Sequence, residues 1–152
     1  MYKFKKTTKK FEPWVSMSFP RPDAGDDPPL TGFVSGYKAS DIEERFARAC
    51  RNNKIEFKFK VRIPVLANLI GDKKEIDFIV MLTVPQTVDV DGEFSHKTVE
   101  QVGQDQLRDA LLSNELIKYN FQVPHLRVSW VGLIDQITAD RTVRNIVSGA
   151  YL

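Results

Sequence analysis

The sequence predicts an α/β fold, a mixed four-stranded sheet flanked by helices, with an extended N-terminal arm ahead of it. Three observations carry this expectation. Apolar residues run at helical spacing over Ser40–Asn53, alternate strictly over Ile55–Ile63, and return to helical spacing after Thr98. The resulting order is arm, helix, three strands, helix, strand, helix, which argues for a sheet with helices on its faces. At 152 residues, 42% hydrophobic and 28% charged, the chain is that of a single globular domain able to bury a core.

The arm is expected over residues 1–39, with the globular domain over 40–152. The arm holds five of the eight prolines (Pro13, Pro20, Pro22, Pro28, Pro29) and opens with Lys3, Lys5, Lys6, Lys9 and Lys10. Proline at this density disfavours helix and sheet. Its lysines read either as a solvated tail or as a phosphate-tracking arm. Trp14, Val15, Met17 and Phe19 could lie on the core, on a partner or on a neighbouring subunit.

The first helix is expected at Ser40–Asn53, with Ile42, Phe46, Ala49 and Cys50 on one face. Ser40 and Glu43 form a capping-box pattern, so Glu43 has a structural role before any chemical one. Cys50 is the only cysteine, which rules out an internal disulfide, and its apolar setting reads as a buried thiol. In the next strand Ile55, Phe57, Phe59, Val61 and Ile63 face one way, while Glu56, Lys58, Lys60 and Arg62 face the other. That basic face suits either solvent or a nucleic-acid backbone. After a turn at Gly71–Lys74 come an apolar strand at Ile76–Leu82 and a β-branched strand at Thr87–Asp91. A helix over Thr98–Ser113, a strand over Val123–Val131 and a helix over Asp140–Val147 complete the chain.

The chemistry-bearing stretch is 76–97. Asp89 and Asp91 share one face of their strand by period-two alternation, and a neighbouring strand could bring Asp77 alongside. Carboxylates gathered at a strand end repel each other unless a cation lies between them. An all-oxygen set suits Mg²⁺ or Mn²⁺ rather than zinc. Asp77, an acid in an otherwise apolar strand, is expensive to bury without a partner, so it reads as a metal ligand or as an exposed edge position. Asp91-Gly92 is also a hairpin-turn pattern. His96 could act as general base or acid, or cap the turn. Lys97 reads as a phosphate contact or a solvated side chain. His125 has no acid or cysteine at ligand spacing, and no P-loop, dinucleotide fingerprint or serine-hydrolase elbow is present. The net charge of +2 announces no polycation. No signal-peptide core and no bilayer-length apolar run is present, so the expectation is an intracellular, cytoplasmic protein without a membrane.

Three stretches resemble the restriction-endonuclease-like, or PD-(D/E)XK, nuclease superfamily, nearest its very-short-patch-repair endonuclease branch and related small domains. They are Glu43 with Phe46 on the first helix, Glu75-Ile76-Asp77-Phe78, and Val88-Asp89-Val90-Asp91-Gly92-Glu93-Phe94-Ser95-His96. Asp105-x-x-Arg108-Asp109-x-x-Leu112 and Leu126-Arg127-Val128-x-Trp130 are similar to the later helix and strand. The superfamily's E-x-K falls on Asp89-x-Asp91, so its lysine is absent from the usual place and His96 or Lys97 has to substitute. The resemblance covers roughly residues 40–135 and implies an αβββαβ core. It also implies a metal-dependent endonuclease that hydrolyses phosphodiester bonds in DNA. Asp77, Asp89 and Asp91 would hold Mg²⁺ (or Mn²⁺), Glu43 would orient water or metal, and His96 or Lys97 would assist. Glu93 and Asp105 would stand behind them. Lys58, Lys60, Arg62 and the arm would grip the DNA. The alternative is the same fold used without catalysis, as a structural or interaction protein whose arm clasps a protein partner, for example in a phage assembly.

Overall fold

The computed structural model describes residues 26–62, 75–92 and 98–151. Within them lie a two-stranded hairpin, β1 (Phe33–Val34) and β2 (Tyr37–Lys38), and a four-stranded sheet. The sheet consists of β3 (Phe57–Val61), β4 (Ile76–Val80), β5 (Gln86–Asp91) and β6 (Leu126–Ser129), in that spatial order. The first three strands are antiparallel, while β6 runs parallel to β5. Helix α1 (Asp41–Asn52) precedes the sheet, α2 (Val99–Lys118) crosses from β5 to β6, and α3 (Gln136–Ser148) closes the chain. A parallel pair needs such a crossover, and a helix is its usual form. The architecture is therefore the expected mixed sheet flanked by helices, with the helix and strand order expected.

The main core lies between the sheet and the α1–α3 pair. Phe46 of α1, Phe59 of β3 and Phe78 of β4 stack with ring centroids 4.5 and 5.0 Å from Phe78. Val80, Val88, Val128, Val143 and Ile146 complete it. The opposite face of the sheet carries a smaller cluster in which Ile76 and Ile79 meet Leu112 and Leu116 of α2, with Val61 and Phe121 at its rim. Burial of these apolar faces on both sides supplies the main driving force for the fold.

The helix ends follow local chemistry. Ser40 Oγ accepts from the Glu43 amide, and Glu43 Oε1 accepts from the Ser40 amide at 2.8 Å, which is the expected capping box. Thr98 and Gln101 repeat the device at α2. Helix α2 runs five residues beyond the expected end at Ser113, because Leu116 shares a face with Leu112 and is buried. Helix α3 begins at Gln136 rather than Asp140, since the Asp135 carboxylate accepts from the Thr138 amide at 2.7 Å. That bond also holds the Asp135 carboxyl below its ordinary range. Strand β6 is shorter than expected, because Trp130–Leu133 winds into a 3-10 turn capped by Ser129.

The expected boundary between residues 39 and 40 does not separate the core. Residues 1–25 lie outside the described residues, but Val34 is part of the main core. The β1–β2 hairpin is fastened to α1 by Glu44, which accepts from the Thr31 and Gly32 amides and from the Thr31 hydroxyl at 2.7–3.0 Å. Arg45 pairs with Asp26 through two bonds of 2.9 and 3.1 Å and also donates to the Leu133 carbonyl. A segment expected to be an extended arm thus becomes, over residues 26–39, a layer laid on the first helix.

Candidate active site

The strict alternation expected for β3 breaks at one residue. Phe57 and Phe59 face the main core, but Val61 joins the opposite cluster. On β4 the same switch separates Phe78 and Val80 from Ile76. Lys60 and Asp77 stand at the two switch points, between the cross-strand pairs Phe59–Phe78 and Val61–Ile76. Lys60 makes the turn with a positive φ of 55°. Its ammonium lies 5.0 Å over the Phe59 ring and 3.9 Å from Glu43 Oε2. Lys60 is therefore turned to the α1 side of the sheet, and the expected continuous basic face of Lys58, Lys60 and Arg62 is not formed. Arg62 is paired with Glu75 at 3.8 Å, and Lys58 is the one of the three left exposed without an ion pair among the described residues.

Asp77 is half-buried where the β4–β5 ladder gives way to side chains. Its amide donates to Asp89 Oδ1 at 2.9 Å, and its Oδ2 accepts from the Val90 amide at 2.9 Å. Nothing among the described residues donates to its other oxygen. Burial pushes the carboxyl from 3.8 up to about 6, and the neighbouring Asp89 and Glu43 carboxylates push the same way. The Val90 amide and the Lys60 ammonium oppose them. A carboxyl shifted by burial and by specific charged neighbours marks a functional-site candidate.

Asp89 is differently employed. Its Oδ1 holds the Asp77 amide and its Oδ2 lies 3.1 Å from His125 Nε2, while His125 Nδ1 lies 2.8 Å from Thr87 Oγ1. Thr87, Asp89 and His125 are all buried. They sit on the α2 face of the sheet because Val88, Leu126 and Val128 take the main-core positions between them. Asp91, on the same face, lies 3.3 Å from Arg127, whose guanidinium is forked onto Asp109 of α2 at 2.6 and 3.0 Å. The Asp–His–Thr line and the Asp–Arg–Asp bridge tie β5 and β6 together and, through Asp109, to the helix that covers them.

The three-carboxylate cage expected from Asp77, Asp89 and Asp91 is therefore not assembled. Among the described residues no three of His, Cys, Asp and Glu converge in a way that could hold a metal ion. Alternation places Asp89 and Asp91 on one face as expected, but a histidine and an arginine from β6 occupy them there. Asp77 instead lies near Glu43, whose Oε1 is spent on the helix cap and whose Oε2 points to Lys60. His96, Lys97 and Glu93 lie outside the described residues, as does the side chain of Asp105. His125 is the residue that spacing along the chain could not reveal, because its partners Thr87 and Asp89 lie on a strand 36 residues away from it or more.

No protein-family model matches the chain, and no curated protein matches it. No helix among the described residues is long and apolar enough to cross a membrane.

Proposed function

We propose that the protein is a metal-assisted endonuclease that hydrolyses phosphodiester bonds in DNA, with its centre at Asp77 and Glu43. The observation that carries this reading is the Asp77 carboxyl. It is half-buried, raised to about 6 by burial and by two other acids, and among the described residues one of its oxygens is without a donor. Such a group gains from a divalent cation. Mg²⁺ is usually held by one or two carboxylates together with substrate phosphates and water rather than by an all-protein cage. Asp77 and Glu43 fit that smaller donor set. When bound, the ion supplies an acidified water and neutralises phosphate charge.

The chain's own residues do the rest by position. The Val90 amide fixes Asp77 Oδ2, the Asp89 carboxylate fixes the Asp77 backbone, and the capping box fixes Glu43. A carboxylate held at both its side chain and its amide loses little freedom when a ligand arrives. DNA as substrate rests on the sequence resemblance, with exposed Lys58 beside the site as a backbone contact.

A second reading is favoured by a specific observation. Asp89 and Asp91 are both engaged within the protein, as expected of a domain that keeps the fold without the chemistry and serves as a structural or interaction protein. Incubation of the protein with supercoiled plasmid and Mg²⁺ or Mn²⁺, beside Asp77→Ala, separates the two. Metal-dependent nicking that falls at least 100-fold in the variant is the expected result. Absence of nicking on plasmid, mismatched and branched DNA decides for the second reading.

A further inference from the structure

Lys60 carries a backbone conformation that lysine seldom adopts. Its φ of 55° lies in the left-handed region, where a side chain crowds its own backbone. The other described non-glycine residues with positive φ, namely Ser35, Lys54 and Asn120, all sit in turns, where the chain must reverse. Lys60 alone sits inside a strand, flanked by residues that keep their cross-strand pairs. Strain of this kind persists only where the surroundings impose it, and it gathers at functional sites.

The strain has a definite geometric result. In regular alternation Lys60 would project to the α2 side with Lys58. The left-handed turn sends it to the α1 side, where its ammonium lies 3.9 Å from Glu43 Oε2 and within electrostatic reach of Asp77. At 3.9 Å the pair is loose, longer than a charge-assisted hydrogen bond. The ammonium is partly exposed, with 28% of the side-chain surface accessible. A positive charge brought beside two carboxylates, yet bonded tightly to neither, remains available to a third, anionic group.

We propose that Lys60 is a catalytic residue of this site, whose ammonium contacts a non-bridging oxygen of the phosphate being cleaved. This deepens the endonuclease reading and rests on it. In the hydrolysis a water oxygen bonds to phosphorus, one ester P–O bond breaks, and the departing alkoxide leaves as an alcohol with a proton from water. Lys60 keeps its protons throughout. Its charge balances the negative charge that builds on the phosphate oxygens, while Glu43 and Asp77 stay on the cation and water side.

The test pairs Lys60→Gly with Lys60→Met. Glycine relieves the left-handed backbone, so this variant is expected to melt at or above the wild-type temperature. Both variants are expected to lose at least 100-fold in the rate of plasmid nicking. Lys60→Cys, alkylated with bromoethylamine to restore an ammonium, is expected to recover at least a tenth of the activity; the one native cysteine, Cys50, is buried. Binding of a short DNA duplex, followed against salt without Mg²⁺, gives a readout independent of turnover. The slope of log K against log salt should fall by about one for the loss of one phosphate contact. Nicking by Lys60→Gly within about threefold of wild type, with an unchanged slope, overturns the proposal and leaves the endonuclease reading standing. A wild type that does not nick but shows the slope change keeps the phosphate contact and removes the catalysis. A wild type that neither nicks nor binds DNA overturns both.

Discussion

At neutral pH the Asp77 carboxylate is ionised in a place that favours its protonated form, since burial, Asp89 and Glu43 all raise its pKa, to about 6. In the unfolded chain the same group returns to an ordinary value near 3.8. Between these two values the folded protein binds a proton that the unfolded chain releases. Stability therefore falls as pH rises through that window, and at pH 7 the ionised group is a net cost. Asparagine keeps an oxygen to accept from the Val90 amide and removes the charge. Asp77→Asn should therefore be more stable than wild type at pH 7.5 in chelator, by on the order of 1–2 kcal/mol. The difference should vanish near pH 4. Urea titrations of both proteins at the two pH values measure it, and equal stabilities at pH 7.5 would show that the carboxylate is not under this stress. A residue kept where it destabilises the fold is one whose chemistry, rather than its packing, explains its presence.

At the scale of elements, the N-terminal layer depends on one side chain of α1. Glu44 is 3% exposed and is the acceptor for two backbone amides and a hydroxyl of the 31–32 segment, with Arg48 3.2 Å away as its counter-ion. Glu44→Ala leaves those donors and that cation without their acceptor and should cost about 3–4 kcal/mol, the range found when one partner of a buried pair is removed. Hydrogen exchange of the Thr31 and Gly32 amides should rise in the variant, whereas that of β4 and β5 should change only with global stability. Unchanged exchange there would mean that Val34 alone docks the layer. None of this was legible in the sequence, where Glu44 is one acid among several in the first turn and residues 1–39 read as one proline-rich arm. The helix and strand order was legible, because hydrophobic period survives in the folded chain. So was the Ser40–Glu43 cap, a purely local device. What periodicity could not supply was the break in it. Left-handed Lys60 reverses the faces at the point where Asp77 sits, and a strand read as regular places both residues on the wrong side. The pairing of Asp89 with His125 and of Asp91 with Arg127 depends on β6 lying parallel to β5, which is tertiary information.

The whole molecule divides its polar groups by face. Beneath α2 the acids of β5 are neutralised by β6, and that face is complete in itself. On the α1 side, where β3 and β4 exchange faces, Glu43 and Asp77 have only the loose Lys60 contact between them. A divalent cation that binds there binds the folded chain alone, since the two carboxylates are 34 residues apart in sequence. By linkage, 10 mM Mg²⁺ against a dissociation constant near 1 mM would add about 1.4 kcal/mol. For a chain of this size that is a rise of roughly 3–6 °C in melting temperature. Wild type should show this rise with Mg²⁺ or Mn²⁺ and not with an equal ionic strength of NaCl, and Asp77→Ala should show none. The control matters because salt alone also screens the repulsion among Asp77, Asp89 and Glu43, and would shift both proteins if screening were the whole effect. A wild-type melting temperature indifferent to both metals means that the acids near Asp77 are settled by Lys60 and the Val90 amide alone. The domain would then be a scaffold whose remaining distinction is the strained lysine.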